Sequence, residues 1–463
     1  MSRPRAVGRT RTTPPGVLAI VAVAGASIPL AFAITSQSAW VVLGGIVAIA
    51  ATVFALLSPR ALILTIFVAK PVIDMLWFAH VDLFGLSVNA QSLLSVVTLV
   101  MAIVLIATRP VPLPPRIFAP MMALVALNGW ALAITPDLAY GVEYFVRIFC
   151  GMPLVFIVPA IIERLPPPHK LLQLYLGVIS FVCLTVLLQP LGILPYSSFG
   201  GGFARATGFY YHPWEVARYM IVAVPFLLAM MDESRRVRMV ECWPYAVLFF
   251  VTLGVVFFTY LKAAWIVVFI QIVIWLFLTG RRPAAAVTLI AAMLIVAFPL
   301  REFFMSTFSD LWHLGDPITR GQALSGRVYI WSEYWRGLQQ VGLRELLFGQ
   351  GYMPSGMAES GHTPHDDFLR ILVMNGVVGL VAYVTLIIVA LASLAQAVKR
   401  LAKLRGIEWR IGIAAQCTLI AYILMGATAD PSAQPSMTLY LWLLVGLVLG
   451  YARVGVRCGD KSS

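Results

Sequence analysis

The feature that most constrains this chain is a succession of long apolar stretches divided by short polar turns. A helix that crosses the hydrocarbon core needs about 20 mostly apolar residues. In lipid its backbone must satisfy its own polar groups, so each such stretch must be helical. Fourteen segments are long enough: 16–34, 39–57, 61–79, 91–107, 117–134, 144–162, 171–194, 214–231, 243–260, 264–279, 284–300, 367–397, 411–429 and 436–452. The expected fold is therefore all-α: a polytopic helical membrane protein with about 14 transmembrane helices. Composition agrees, with 60% apolar and 11% charged residues, against roughly 25% charged in soluble domains. An ordinary soluble enzyme and a disordered chain are excluded.

Charge sets the orientation. Lys and Arg gather on cytoplasmic loops, which accounts for the net charge of +13 without invoking nucleic acid. With the N-terminus inside, the cytoplasmic segments hold 22 of the 33 Lys and Arg. Outside the long loop 301–366, the opposite face holds only Arg205 and Lys262. Both termini are expected in the cytoplasm. Residues 1–34 resemble a signal peptide but are read as an uncleaved first helix. Three regions follow: 1–300 with helices 1–11 and an outer loop at 195–213, the outward loop 301–366 with short amphipathic helices, and 367–463 with helices 12–14 and a cytoplasmic tail. The cytoplasmic face carries no GxxxxGK loop and no βαβ pattern for a nucleotide. A nucleotide-driven pump or a nucleotide-sugar enzyme is disfavoured.

Polar groups within a membrane are costly and mark functional candidates. The first group is His362-Thr363-Pro364-His365-Asp366-Asp367, where the outer loop enters helix 12. Thr363 suits an N-cap and Pro364 the first helical position. His365 would then lie in the first turn, where the helix dipole disfavours imidazolium. A neutral imidazole there can accept a proton from a hydroxyl. Alternatively His362 and His365 are simply interfacial polar residues. A metal set from His362, His365 and Asp366 lacks a fourth ligand, so no metal is assigned. Asp366 and Arg370 stand four apart and are expected to pair. Gly376 and Gly379 are expected to permit close packing.

The second group is cationic. Arg205 follows Gly200-Gly201-Gly202, Lys262 sits in the turn 261–263, and Arg327 stands in Ser325-Gly326-Arg327. Arg147 and Arg218 are embedded near the outer ends of their spans. One such residue could snorkel to lipid phosphate. Several together form a candidate phosphate site, since Arg makes paired hydrogen bonds to phosphate oxygens. The outer loop is also aromatic: Trp312, Tyr329, Trp331, Tyr334 and Trp335. Ser325 to Leu347 reads as one helix whose Val328, Trp331, Trp335 and Leu338 face packs on the membrane or a neighbour.

The run His365-Asp366, nine residues, then Gly376-Val377-Val378-Gly379 resembles the signature of the bacterial O-antigen ligase and polysaccharide polymerase family. Arg205-Ala206-Thr207-Gly208-Phe209-Tyr210-Tyr211-His212-Pro213, Ser325-Gly326-Arg327 with Trp331, and Leu347-Phe348-Gly349-Gln350-Gly351 are similar to further stretches of it. Asp366 departs from the pattern, which carries an amide or hydroxyl there. The resemblance implies an outward-facing glycosyltransferase of the inner membrane, acting without cofactor or metal. It would move sugar from a polyprenyl-pyrophosphate-linked glycan to a hydroxyl of an acceptor glycan. His365 would act at that hydroxyl, and Arg205, Arg327 and Lys262 at the pyrophosphate. A polymerase of O-antigen, capsule or exopolysaccharide is the first expectation, and an O-antigen ligase the second. Chain-length regulators or flippase proteins are the implied protein partners. The rival of another class is a lipid-linked oligosaccharide flippase, for which Lys70, Asp74 and Arg370 would line a cavity.

Overall fold

The computed structural model describes residues 58–75, 80–83, 86–108, 115–195, 197–198, 204–237, 239–297, 326–353, 363–403 and 406–459. The described chain is helical apart from two small antiparallel hairpins. It begins with α1 (Pro59–Val68) and α2 (Lys70–Met75), followed by the hairpin β1 (His80–Leu83) and β2 (Leu86–Asn89). Next come α3 (Ala90–Thr108), α4 (Pro115–Ala133), α5 (Leu138–Phe149), α6 (Leu154–Ile161) and α7 (Pro168–Leu187). The second hairpin pairs β3 (Ser197–Ser198) with β4 (Ala204–Arg205) and leads into α8 (Pro213–Val237). Then follow α9 (Trp243–Phe258), α10 (Lys262–Leu278), α11 (Arg282–Ala297), α12 (Arg327–Gln340) and α13 (Leu343–Phe348). The chain closes with α14 (Asp367–Leu401), α15 (Ile407–Gly426) and α16 (Pro435–Gly459).

Seven described helices are long and apolar enough to cross a membrane, or eight if α5 and α6 form one bent span. Fourteen were expected. Segments 16–34 and 39–57 lie outside the described residues, and others prove shorter or broken. The segment 61–79 divides at Ala69. Pro71 has no N–H to offer the Phe67 carbonyl four residues back. The Tyr440 hydroxyl takes over there, donating to the carbonyls of Ile66 (2.8 Å) and Phe67 (3.4 Å). The segment 144–162 bends by 40° between α5 and α6. The segment 367–397 lies within α14, which breaks at Gly376 (φ 70°, ψ −174°).

The helices α8, α15 and α16 are the most enclosed, and α16 packs along α6. An aromatic cluster fills the centre: Tyr175, Tyr219 and Tyr440 meet with ring centroids 5.2 and 5.8 Å apart. Two ion pairs tie together one end of the bundle. Arg281 bonds Asp232 at 2.9 Å, and Arg410 bonds Glu233. They join α8 to the start of α11 and to α15. The opposite ends of α8, α14 and α16 carry the residues singled out by the sequence.

The expected single helix 325–347 is two, α12 and α13, divided at Val341 and Gly342. Within the protein, the residue of this helix that is enclosed is one the expected face did not include. Tyr334 is buried, whereas Trp335 is exposed. The remainder of loop 301–366, Trp312 included, lies outside the described residues apart from 326–353 and 363–366.

Candidate functional site

The site is assembled from four chain segments at the ends of long helices. The first is the approach to α8. Gln189, buried at the end of α7, donates to the Pro195 carbonyl (2.7 Å) and accepts from the N–H groups of Thr207 (2.7 Å) and Gly208 (2.8 Å). The Ala206 N–H donates to the Phe258 carbonyl at 3.1 Å, and the Tyr210 hydroxyl to the Pro71 carbonyl at 2.8 Å. These bonds fix both sides of Arg205. They also bring its loop beside the turn from which α10 starts at half-buried Lys262.

His212 immediately precedes α8. Its Nδ1 accepts the Trp214 N–H at 3.1 Å. Burial, then the charges of Arg218, Arg205 and His365, push its imidazole down to about 4, against a smaller opposing pull from Asp430. Arg218 lies farther along α8, 5% exposed, and donates to Gln434 Oε1 at 3.1 Å. Among the described residues, Nε of Arg205 and Nε of Arg218 are buried without a hydrogen-bond partner. A buried donor left unmatched costs about 1–3 kcal/mol. Glu215 Oε2, in the first turn of α8, is likewise buried without a partner, so this helix end holds both unmatched donors and an unmatched acceptor.

The second segment is the turn between α15 and α16, with Asp430 and Gln434. Asp430 faces cations from three elements: its charge acts on His212 and Arg218 of the first segment, on Arg327, and on Arg370. The third segment is the start of α12. Gly326 takes a left-handed conformation (φ 83°), and Arg327 opens the helix. Burial weakens the hold of Arg327 on its proton, which Asp430 partly restores.

The fourth segment carries His365. Trp331 of α12 donates from its indole Nε1 to the Pro364 carbonyl at 2.8 Å, joining α12 to this segment. The expected helix start is displaced. Asp366, not Thr363, is the N-cap, accepting the Leu369 N–H at 2.8 Å, and α14 begins at Asp367. His365 therefore stands just before the helix, not within its first turn. It is exposed and left-handed, with φ 50°. Burial raises the Asp366 carboxyl, and the N–H groups of Leu369 and Phe368 oppose that rise.

The expected Asp366–Arg370 pair is also corrected. Asp366 is turned back to cap the helix, so Arg370 pairs with Asp367 at 2.5 Å. Both are fully buried. Ser432 joins them: its N–H and hydroxyl donate to Asp367 at 2.9 Å each, and it accepts from Arg370. Tyr383 donates to the same carboxylate at 3.2 Å. This network holds the Asp430–Gln434 turn against the head of α14.

Arg147 pairs with Glu143 along α5, outside the cation group around Asp430. Lys70 and Asp74 form a buried ion pair closed by the Tyr219 hydroxyl. Gly376 does permit close approach of another helix, the last turn of α13, whose backbone it meets directly. A Cβ there would lie 2.2 Å from the Leu347 carbonyl oxygen. The Gln350 and Gly351 N–H groups donate to the carbonyls of Val373 (3.0 Å) and Met374 (3.2 Å) across this break. His362 lies outside the described residues.

Sequence reasoning missed Asp430, Gln434 and Ser432. Their signal is Asp430-Pro431-Ser432-Ala433-Gln434-Pro435, a strongly polar turn between two apolar helices. Among the described residues no three His, Cys, Asp or Glu side chains gather as a metal site. No protein-family model matches the sequence, and no curated protein matches it.

Proposed function

We propose that the chain is a membrane glycosyltransferase joining polyprenyl-pyrophosphate-linked repeat units into a surface polysaccharide. The observation that supports this reading is the gathering of Arg205, Arg218 and Arg327 around His212, His365 and Asp430 at one end of a helical bundle. In this reading that end faces outward from a bacterial inner membrane, and both termini are cytoplasmic.

The chemistry follows from the charges. The acceptor hydroxyl attacks the anomeric carbon and forms the new glycosidic bond. The bond between that carbon and the pyrophosphate oxygen breaks, and the leaving group takes the electron pair. Fixed guanidinium groups stabilise the charge it gathers, most effectively where water is sparse. Arg205 and Arg327 fill this role, with Lys262 at the start of the neighbouring α10 as a further cation. His365 accepts the hydroxyl proton. A single displacement inverts the anomeric centre, and Arg supplies the positive charge that a metal would otherwise bring.

A ligase that moves finished glycan to lipid A core or protein would use the same chemistry and differ in its acceptor. The flippase reading draws less support. Lys70, Asp74 and Arg370, its cavity candidates, are all buried and engaged in ion pairs.

The test is purified protein in detergent, incubated with lipid-linked repeat units and resolved on a gel. A ladder identifies a polymerase, and a single transferred product identifies a ligase. His365→Ala and Arg327→Ala are expected to lower turnover at least ~100-fold while eluting as folded protein. Full activity in both variants would sink the mechanism.

A further inference from the structure

Two helices measure where the hydrocarbon of a membrane would end, and both point to the same place. The run 377–398 of α14 holds no charged residue and is about 33 Å long at 1.5 Å per residue. A hydrocarbon core is about 30 Å thick. Lys399 and Arg400 close the run at one boundary, so the break at Gly376 lies at the other. The second ruler is α4, about 28 Å long and among the least enclosed of the candidate spans. Met122, Ala126 and Trp130 are exposed along one side of it at four-residue spacing, which is a lipid-facing side. Trp130 stands in its last turn, where an aromatic ring marks the membrane–water interface.

The short helix α13 rests on both marks. The Leu347 carbonyl meets the backbone at Gly376, and the Arg344 guanidinium lies over the Trp130 ring, 5.1 Å from its centroid. The faces of α13 suit that place. Leu343 and Leu346 stand three apart on one face and are both exposed, Leu343 at 72%. Glu345 is exposed on the opposite face, where its carboxylate accepts the Gly342 N–H at 2.9 Å.

We propose that α13 is an interfacial helix seated in the leaflet on the candidate site's side, with Leu343 and Leu346 in the acyl boundary and Glu345 towards water. The partner is the lipid bilayer. Continuity favours lipid over a second copy of the chain, because the lipid-facing side of α4 leads through Trp130 and Arg344 onto α13. The assignment stands apart from the glycosyltransferase reading. Since α12 joins α13 through Val341 and Gly342 alone, the leaflet would keep this part of the outer segment at the membrane surface.

Nitroxide labels on single cysteines test this in nanodiscs of phosphatidylethanolamine and phosphatidylglycerol. Cys458 is replaced by serine, and Cys150, Cys183, Cys242 and Cys417 are buried. Accessibility to oxygen, which concentrates in lipid, is compared with accessibility to a nickel chelate, which stays in water. Val381→Cys, exposed within the run 377–398, is the lipid reference. Leu343→Cys and Leu346→Cys are expected to favour oxygen, at depths of about 5–10 Å below the headgroup boundary. Glu345→Cys is expected to favour the chelate. Oxygen preference at Val381 with chelate preference at both leucines would overturn the assignment, as would equal accessibility on the two faces of α13. Leucine labels shielded from both reagents, or broadened until diluted with unlabelled protein, would overturn it in favour of a protein neighbour. None of these readings depends on catalysis, so a failure to transfer glycan leaves the result unchanged.

Discussion

At the scale of single residues, two titrating groups beside the site act in opposite directions. The His212 imidazole is held down to about 4, below its ordinary value of 6.5. Between those values the unfolded chain binds a proton that the folded chain refuses. Stability therefore rises with pH through that window, and is lost as pH falls from about 6.5 towards about 4. Asp366 has its carboxyl raised by burial, so its folded form holds a proton longer and it contributes the opposite slope. Comparing wild type with His212→Asn isolates the histidine. The melting temperature of detergent-solubilised wild type should fall across that range more steeply than that of the variant. Equal slopes would show that His212 titrates normally. Arg205 and Arg327 could be picked out in the sequence because cations on loops expected to face outward run against the charge bias, and His365 because a polar run stands where a loop enters a long apolar helix. Asp430 could not. An acid outside is unremarkable until its neighbours are known. The acid that pairs with Arg370 was missed by one residue for a similar reason: two adjacent acids can each cap a helix, and only packing decides which turns inward to Arg370.

At the scale of elements, α14 shows what an apolar pattern conceals. Its sequence reads as one long continuous helix, yet it changes direction at Gly376. The backbone there has φ 70° and ψ −174°, which an L side chain adopts only under strain. Such strain costs about 1–3 kcal/mol before any overlap is counted. Gly376→Ala adds a methyl group 2.2 Å from the Leu347 carbonyl oxygen, which must then move. The variant is expected to lose at least about 2 kcal/mol of stability and to elute largely as aggregate. Wild-type melting and elution would contradict the close approach. Periodicity gave no warning, because the residues on both sides remain good membrane-helix residues. The glycines at 376 and 379 were visible as packing residues; that the first meets the end of the short helix α13 depends on residues about thirty positions earlier.

At the scale of the whole molecule, the helical class was legible because lipid leaves the backbone few alternatives. The span count was less so, since Pro71 and the α5–α6 bend divide apolar runs that length alone would join. The proposed orientation has a direct test. Tyr211 lies beside the site and is 56% exposed, whereas Met239, beyond the ion-paired end of α8, is 80% exposed. Single cysteines at these positions should respond oppositely to a membrane-impermeant maleimide. Tyr211→Cys should label in intact spheroplasts, and Met239→Cys only after permeabilisation. Cys150, Cys183, Cys242 and Cys417 are buried and give little background, and the fifth cysteine, Cys458, is replaced by serine in both variants. The reverse pattern would invert the topology. The bonds from Gln350 and Gly351 into the break of α14 carry one more consequence. They tie the end of α13 to the bundle itself through backbone, so that end is anchored to the bundle by main-chain bonds rather than by side chains alone. In the proposed polymerase, the growing chain would then pass a segment anchored on this side, and its release would not wait on that segment opening.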